Sequence, residues 1–184
     1  REQASSLVSL LSDAGAEVIE FPTIKTEPVE DTASLDKALS GVASHDWIVF
    51  TSANSVRYVW ERLDAVGLDS RALAGVSVAA IGPATEAGLR SRGIQPDFVA
   101  TRSRSEGVVE DIGDVSGLSI LVPRADKGRA ELVTGLQAVG AAVTPVTAYR
   151  TLPDGNGAER VAEMLADGEV DAVTFTSGST VANF

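Results

Sequence analysis

One stretch of this chain repeats another at a constant offset of 125 residues, so any fold must place the two copies in like surroundings. Leu7, Val8, Leu11, Gly15, Ala16 and Val18 meet Leu132, Val133, Leu136, Gly140, Ala141 and Val143. Farther on, Thr26 and Pro28 meet Thr151 and Pro153, while Asp46, Phe50, Thr51, Ser52 and Val56 meet Asp171, Phe175, Thr176, Ser177 and Val181. Two similar halves are implied, each with an apolar helical face and a glycine suited to a left-handed helix end.

The pattern within and between the copies alternates strand with helix. Segment 2–14 sets Ala4, Leu7, Val8, Leu11 and Ala14 at helical spacing before Gly15, and 17–21 alternates as a strand does. Trp47–Phe50 reads as a short apolar strand, followed by the capping residues Thr51, Ser52 and Asn54 and by Val56, Val59, Trp60, Leu63 and Val66 at helical spacing. Strand 76–81 leads through Gly82-Pro83-Ala84-Thr85 to a short helix, and strand 97–99 precedes helix 104–113, where Ser103 and Glu106 are spaced as a capping box. Strand 120–122, helix 129–139, strand 143–146, helix 158–166 and strand 172–175 complete the series. This alternation predicts open parallel sheets with helices on both faces.

The repeat also sets expectations about the ends. Helix 129–139 has strand 120–122 before it, whereas its counterpart starts at Arg1, and the second copy stops at Phe184 where the first continues. A first strand and a C-terminal portion are expected beyond this sequence. Segments 22–28 and 147–153 follow the matched strands, carry Lys25 and Arg150, and read as paired linkers between the halves.

Composition narrows the chemistry. With 184 residues, 44% of them hydrophobic, the chain can bury a core. It has no apolar run of about 18 residues and no basic leader, so a soluble cytoplasmic protein is expected. The absence of cysteine and the single histidine, His45, leave no ordinary zinc site, and no metal is expected. A net charge of −11 argues against nucleic acid. His45-Asp46 precedes a strand and no Gly-x-Ser-x-Gly elbow occurs, so a serine triad is not indicated. Glu27, Glu30 and Asp31 lack the spacing of a calcium loop and read as a solvated face.

Ligands of open α/β sheets bind beyond the carboxyl ends of the strands, where helix N-termini present free N–H groups. That rule selects Ser52 with Thr51 and Asn54, Thr85 with Gly82, Ser105 with Ser103, Arg124, and Ser177 with Thr176. Hydroxyl and amide donors of this kind suit a ligand rich in carboxylates, although each residue would also serve simply as a helix cap. The recurrence of Phe-Thr-Ser at 50–52 and 175–177 directs like hydroxyls from both halves toward a shared cleft. Tyr149 lies in the polar stretch Thr147-Ala148-Tyr149-Arg150-Thr151, where its phenol would either donate a proton to a leaving hydroxyl or pack the linker against one half.

The series Val49-Phe50-Thr51-Ser52-Ala53-Asn54-Ser55-Val56, Ala80-Ile81-Gly82-Pro83-Ala84-Thr85, Ser105-Glu106-Gly107, Leu121-Val122-Pro123-Arg124-Ala125, Val146-Thr147-Ala148-Tyr149-Arg150-Thr151 and Asp171-Ala172-Val173-Thr174-Phe175-Thr176-Ser177 resembles the uroporphyrinogen-III synthase family in order and spacing. The resemblance implies two doubly wound, flavodoxin-like parallel-sheet domains. One, the inserted domain, is 29–146; the other is discontinuous, 1–21 with 154–184, and incomplete at both ends; the linker strands are 22–28 and 147–153.

It further implies a lyase that needs no cofactor, closing hydroxymethylbilane to uroporphyrinogen III with inversion of the terminal ring and loss of water. In the family's mechanism the terminal ring loses its hydroxyl to give an azafulvene, which closes through a spiro intermediate. Tyr149 matches the tyrosine that assists departure of that hydroxyl, and Thr85 and Ser177 match positions that contact substrate. Ser52, Ser105 and Arg124 fit the cleft by motif position. The expected partner is the small tetrapyrrole alone, with no nucleic acid or membrane, in a monomer that a further pathway domain could follow. The competing reading is a two-lobed small-ligand binding protein of the periplasmic-receptor type.

Overall fold

The computed structural model describes residues 2–100, 109, 111–128, 130–175 and 178–184. In chain order the principal elements are α1 (Glu2–Asp13), β1 (Ile24–Pro28), α2 (Ala33–Ser40), β2 (Trp47–Phe50), α3 (Ala53–Ala65), β3 (Ser77–Ile81), α4 (Pro83–Arg90), β4 (Phe98–Ala100), β5 (Ser119–Ala125), α5 (Glu131–Ala138), β6 (Ala142–Pro153), α6 (Ala158–Ala166) and α7 (Gly178–Ala182). They divide into two compact units, residues 26–151 and residues 1–25 with 152–184.

Trp47-Ile48-Val49-Phe50 offers almost nothing polar to either side, and a strand of that kind belongs in the middle of a parallel sheet covered on both faces. β2 takes that place, with Ile48, Val49 and Phe50 fully buried. The sheet runs β1-β6-β5-β2-β3-β4, and β2 pairs in parallel with both β3 and β5. β3 pairs in parallel with β4, and β5 with β6.

Strand alternation sorts the side chains into two cores. Ile48, Phe50, Val78, Ala80 and Leu121 face Leu35 and Leu39 of α2, Val56, Val59 and Leu63 of α3, and Leu89 of α4. Val49, Ala79, Ile120 and Val122 face the other way, onto Leu132 and Leu136 of α5. Helices therefore cover both faces, as a doubly wound sheet requires.

The strand order departs from the flavodoxin-like expectation. Counted from β2, the parallel strands lie 3-2-1-4-5, not in the flavodoxin order 2-1-3-4-5. The difference lies in β4, which pairs outside β3. The Asp97 carboxylate, just ahead of β4, accepts the Val78 amide at 2.7 Å while its own amide donates to Val78 O at 2.8 Å.

Two further expectations are revised, and a third is not tested. Residues 143–146 and 147–153 are one continuous strand, β6. Residues 17–21 and 172–175 form no strand, because a strand exists only as part of a ladder and no described segment pairs with them. Helix 104–113 falls almost wholly outside the described residues.

The smaller unit holds α1, α6 and α7. Within it Asp154 N donates to Thr23 O at 2.9 Å, and Phe184 packs edge-on against Phe21 and Phe175, with ring centroids 6.0 and 5.2 Å away. Its large side chains remain wet: Leu10, Ile19, Val173, Val181 and Phe184 are all exposed.

Candidate active site

The chain leaves β2 for β3 and β4 on one side and returns to lay β5 and β6 on the other, so β2 and β5 flank the topological switch point where such sheets bind ligands. β2 and β3 are in register, Phe50 opposite Ala80, and the turns that follow leave the same sheet edge.

After β2, Ser52 takes an extended conformation and caps α3. Its hydroxyl accepts the Ser55 amide at 3.1 Å, and the Ser55 hydroxyl accepts the Ser52 amide at 3.2 Å. After β3, Gly82 has φ +80 and ψ 165, a conformation closed to residues with a Cβ, and Pro83 opens α4. Thr85 lies one turn in, 1% exposed, donating to Ile81 O at 2.8 Å. Its hydroxyl is thereby turned into the helix start, in the manner of a structural threonine.

β6 supplies the phenol through an irregularity. Arg124 faces Thr147 and Ala125 faces Tyr149, so Ala148 is an extra residue on β6. Regular alternation would put Tyr149 on the same face as exposed Thr147. The bulge turns it to the face of Val146 and Ala148, where it is only 7% exposed and joins the core beneath α3.

There the Tyr149 hydroxyl meets the Ser52 hydroxyl at 3.1 Å, and its ring stacks on Tyr58 with centroids 5.1 Å apart and planes 13° from parallel. Arg57 lies with its guanidinium carbon 4.0 Å from the centroid of the Tyr58 ring. Both Tyr58 and Arg57 donate to the Thr26 hydroxyl of β1, at 3.2 and 3.1 Å. Burial pushes the Tyr149 phenol above its ordinary range; the Ser52 hydrogen bond opposes this, Tyr58 and Asp126 add to it, and Arg57 works against it. A phenol so placed stays protonated at neutral pH and is competent as a proton donor.

Other candidates resolve differently. Arg124 is half-buried and donates to Gly128 O at 3.2 Å. Ser105 and Ser177 lie outside the described residues. The Asp46 carboxylate accepts the Ser119 amide at 2.7 Å, tying the start of β2 to β5. Glu27 and Glu30 pair with Arg150 at 3.6 and 2.8 Å, and among the described residues no group of His, Asp or Glu is placed to hold a metal ion. Nor is any described helix long and apolar enough to cross a membrane.

Tyr58, Arg57 and Thr26 were not singled out by sequence reasoning. The available signal was the spacing of Tyr58, three residues after the capping Ser55, which puts it above the helix start.

The profile of the family described as uroporphyrinogen-III synthase HemD matches residues 5–184. The chain belongs to the uroporphyrinogen-III synthase family. The uroporphyrinogen-III synthase of Synechococcus elongatus is 33% identical over 184 residues, which cover 99% of this chain and 69% of that one. The porphyrin biosynthesis protein HemD of Ruminiclostridium josui is 28% identical over 188 residues, all of this chain but 37% of its own. A crystallised mutant of the family's Thermus thermophilus enzyme shares the fold at a TM-score of 0.73 and 26% identity, over 100% of this chain and 72% of that one. As a member of the family, this mixed α/β chain functions as a uroporphyrinogen-III synthase in porphyrin biosynthesis.

Proposed function

We propose that the chain acts as a cofactor-independent lyase in the cytoplasm, closing hydroxymethylbilane to uroporphyrinogen III with inversion of the terminal ring, and that Tyr149 supplies the proton on which the leaving hydroxyl departs as water. The observation that carries this reading is the Tyr149 phenol at the switch-point edge of the sheet, hydrogen-bonded to Ser52 and stacked on Tyr58. The C–O bond of the hydroxymethyl group breaks with its electron pair on oxygen, and the phenol proton completes the water. The proton released when the closing ring regains aromaticity returns to the phenolate.

The remaining work is orientation. The open substrate also cyclises unaided to the uninverted isomer, so holding the terminal ring for attack at its substituted carbon decides the product. Eight carboxylates on the substrate suit the amide donors following β2 and β3, with Arg124, Ser105 and Ser177 as contacts; Thr85, buried with its hydroxyl hydrogen given to Ile81 O, serves the start of α4 instead. We also read the two units as domains joined through 22–28 and 147–153 in a monomer. The unit boundaries at 25/26 and 151/152 fall within those stretches and support this.

The test is to supply hydroxymethylbilane and resolve the oxidised uroporphyrin isomers against a no-enzyme control. Predominant type III product is expected, with Tyr149→Phe slowing its formation about a hundredfold, the lower range for loss of a general acid. Unchanged turnover in Tyr149→Phe would remove Tyr149 from the mechanism.

A further inference from the structure

Ser52 stands at the sheet edge among residues that fit a ligand-binding role, but its hydrogen bonds turn it elsewhere. The Ser55 amide has a fixed hydrogen and occupies one lone pair of the Ser52 oxygen at 3.1 Å. Among the described residues its other side-chain partner is the Tyr149 hydroxyl, 3.1 Å away. A hydroxyl has one hydrogen to give, and the Tyr149 oxygen is the acceptor in reach. If Tyr149 instead donated to Ser52, the Tyr149 proton would point away from any substrate.

The surroundings hold this geometry in place. Ser52 is fixed by the reciprocal capping box with Ser55. Tyr149 is fixed by the β6 bulge on one side and by the Tyr58 ring on the other. Neither oxygen needs to move when a proton leaves the phenol, which is the arrangement that makes a hydrogen bond to a developing charge effective.

We propose that Ser52 is a positioning residue for Tyr149: its hydroxyl donates to the phenol oxygen, aims the phenol hydrogen outward at the leaving group, and holds the phenolate formed when that hydrogen is transferred. This rests on the reading of Tyr149 as the proton donor. It also accounts for a serine at this position where any good N-cap would serve α3. Asp caps a helix as well as Ser does, but it has no hydrogen to give and would place a negative charge against the phenolate. The groups facing Tyr149 bear on its ionisation in known directions: Ser52 and Arg57 favour the phenolate, while Tyr58 and Asp126 disfavour it.

The experiment compares Ser52→Ala, Ser52→Thr and Ser52→Asp, alone and combined with Tyr149→Phe, in two assays. One measures kcat and KM for type III product. The other follows phenolate absorbance through a pH titration, with the Tyr149→Phe spectrum subtracted to isolate Tyr149; the sequence has only two tyrosines. We expect Ser52→Ala to lower kcat about tenfold or more with KM little changed, the size of a lost hydrogen bond to a charged group. We expect the Tyr149 midpoint to rise in Ser52→Ala, Ser52→Thr to restore both readings, and Ser52→Asp to fall below wild type although it keeps the cap. In the Tyr149→Phe background, Ser52→Ala should cost nothing further.

A rise in KM at constant kcat would mean that Ser52 binds substrate directly and would overturn the proposal. So would an undiminished loss in the Tyr149→Phe background, or an unmoved Tyr149 midpoint. Slowing by Tyr149→Phe combined with an inert Ser52→Ala sinks this inference alone. An inert Tyr149→Phe removes Tyr149 from the mechanism and sinks this proposal with it, while leaving the type III product reading standing.

Discussion

Removing Tyr58 in two steps should separate what its ring does from what its hydroxyl does. Tyr58 is buried, stacks on Tyr149, carries Arg57 on its ring and donates to Thr26. Tyr58→Phe keeps the ring and loses one neutral hydrogen bond, a cost of about 1 kcal/mol. Tyr58→Leu also loses the aromatic pair, about 1 kcal/mol, and a cation–π contact with a half-exposed arginine, about 0.5 kcal/mol. The totals are about 1 and about 2.5 kcal/mol, or Tm decreases of about 3 and about 8 °C for a chain of this size. Thermal unfolding followed by circular dichroism measures both. Equal losses in the two variants would refute the view that stacking, more than the Thr26 hydrogen bond, seats the ring against Tyr149.

Two further outcomes follow from the geometry. The Tyr149 pKa is raised in the fold, so the preference for the neutral phenol is fully present below its ordinary value of about 10 and is lost as pH rises through the higher folded value. Urea unfolding between pH 8 and pH 11 should show a steeper stability loss above pH 10 in wild type than in Tyr149→Phe. Gly140, between α5 and β6, has φ +91, and an added Cβ would lie 2.9 Å from the Ser116 hydroxyl oxygen. Gly140→Ala should therefore cost about 2 kcal/mol by left-handed strain and crowding, read as a Tm about 6 °C lower; an unchanged Tm would count against the strain.

Local patterns carried most of the architecture, because strand, polar turn and amphipathic helix are each written in contiguous residues. Trp47–Phe50 read as an interior strand, Gly82-Pro83 as a helix start, and Ser52 as a cap, and each is so placed. Strand order was not legible, since it depends on which edge a strand pairs with; the Asp97 carboxylate on the Val78 amide is a contact across 19 residues that no local pattern announces. Nor was the bulge at Ala148. Regular alternation would put Tyr149 on one face, and a single extra residue puts it on the other. The companions of Tyr149 were missed for the same reason, since Thr26, Arg57 and Tyr58 converge only once β1, α3 and β6 have met.

The division of the chain bears on the order in which its parts can form. Residues 26–151 are continuous, whereas the other unit is assembled from two pieces that they separate. Joining those pieces in an unstructured chain would mean closing a loop of that length, an entropic cost of about 4 kcal/mol before any contact is made. In the folded sheet β1 and β6 are hydrogen-bonded neighbours, so the ends of the loop already lie one strand spacing apart, about 5 Å. The larger unit thus acts as a template for the smaller. During synthesis the first piece must wait until residues 26–151 have been made, and a mutation within 26–151 that slows pairing of β1 with β6 should leave the smaller unit unformed even though none of its own residues has changed.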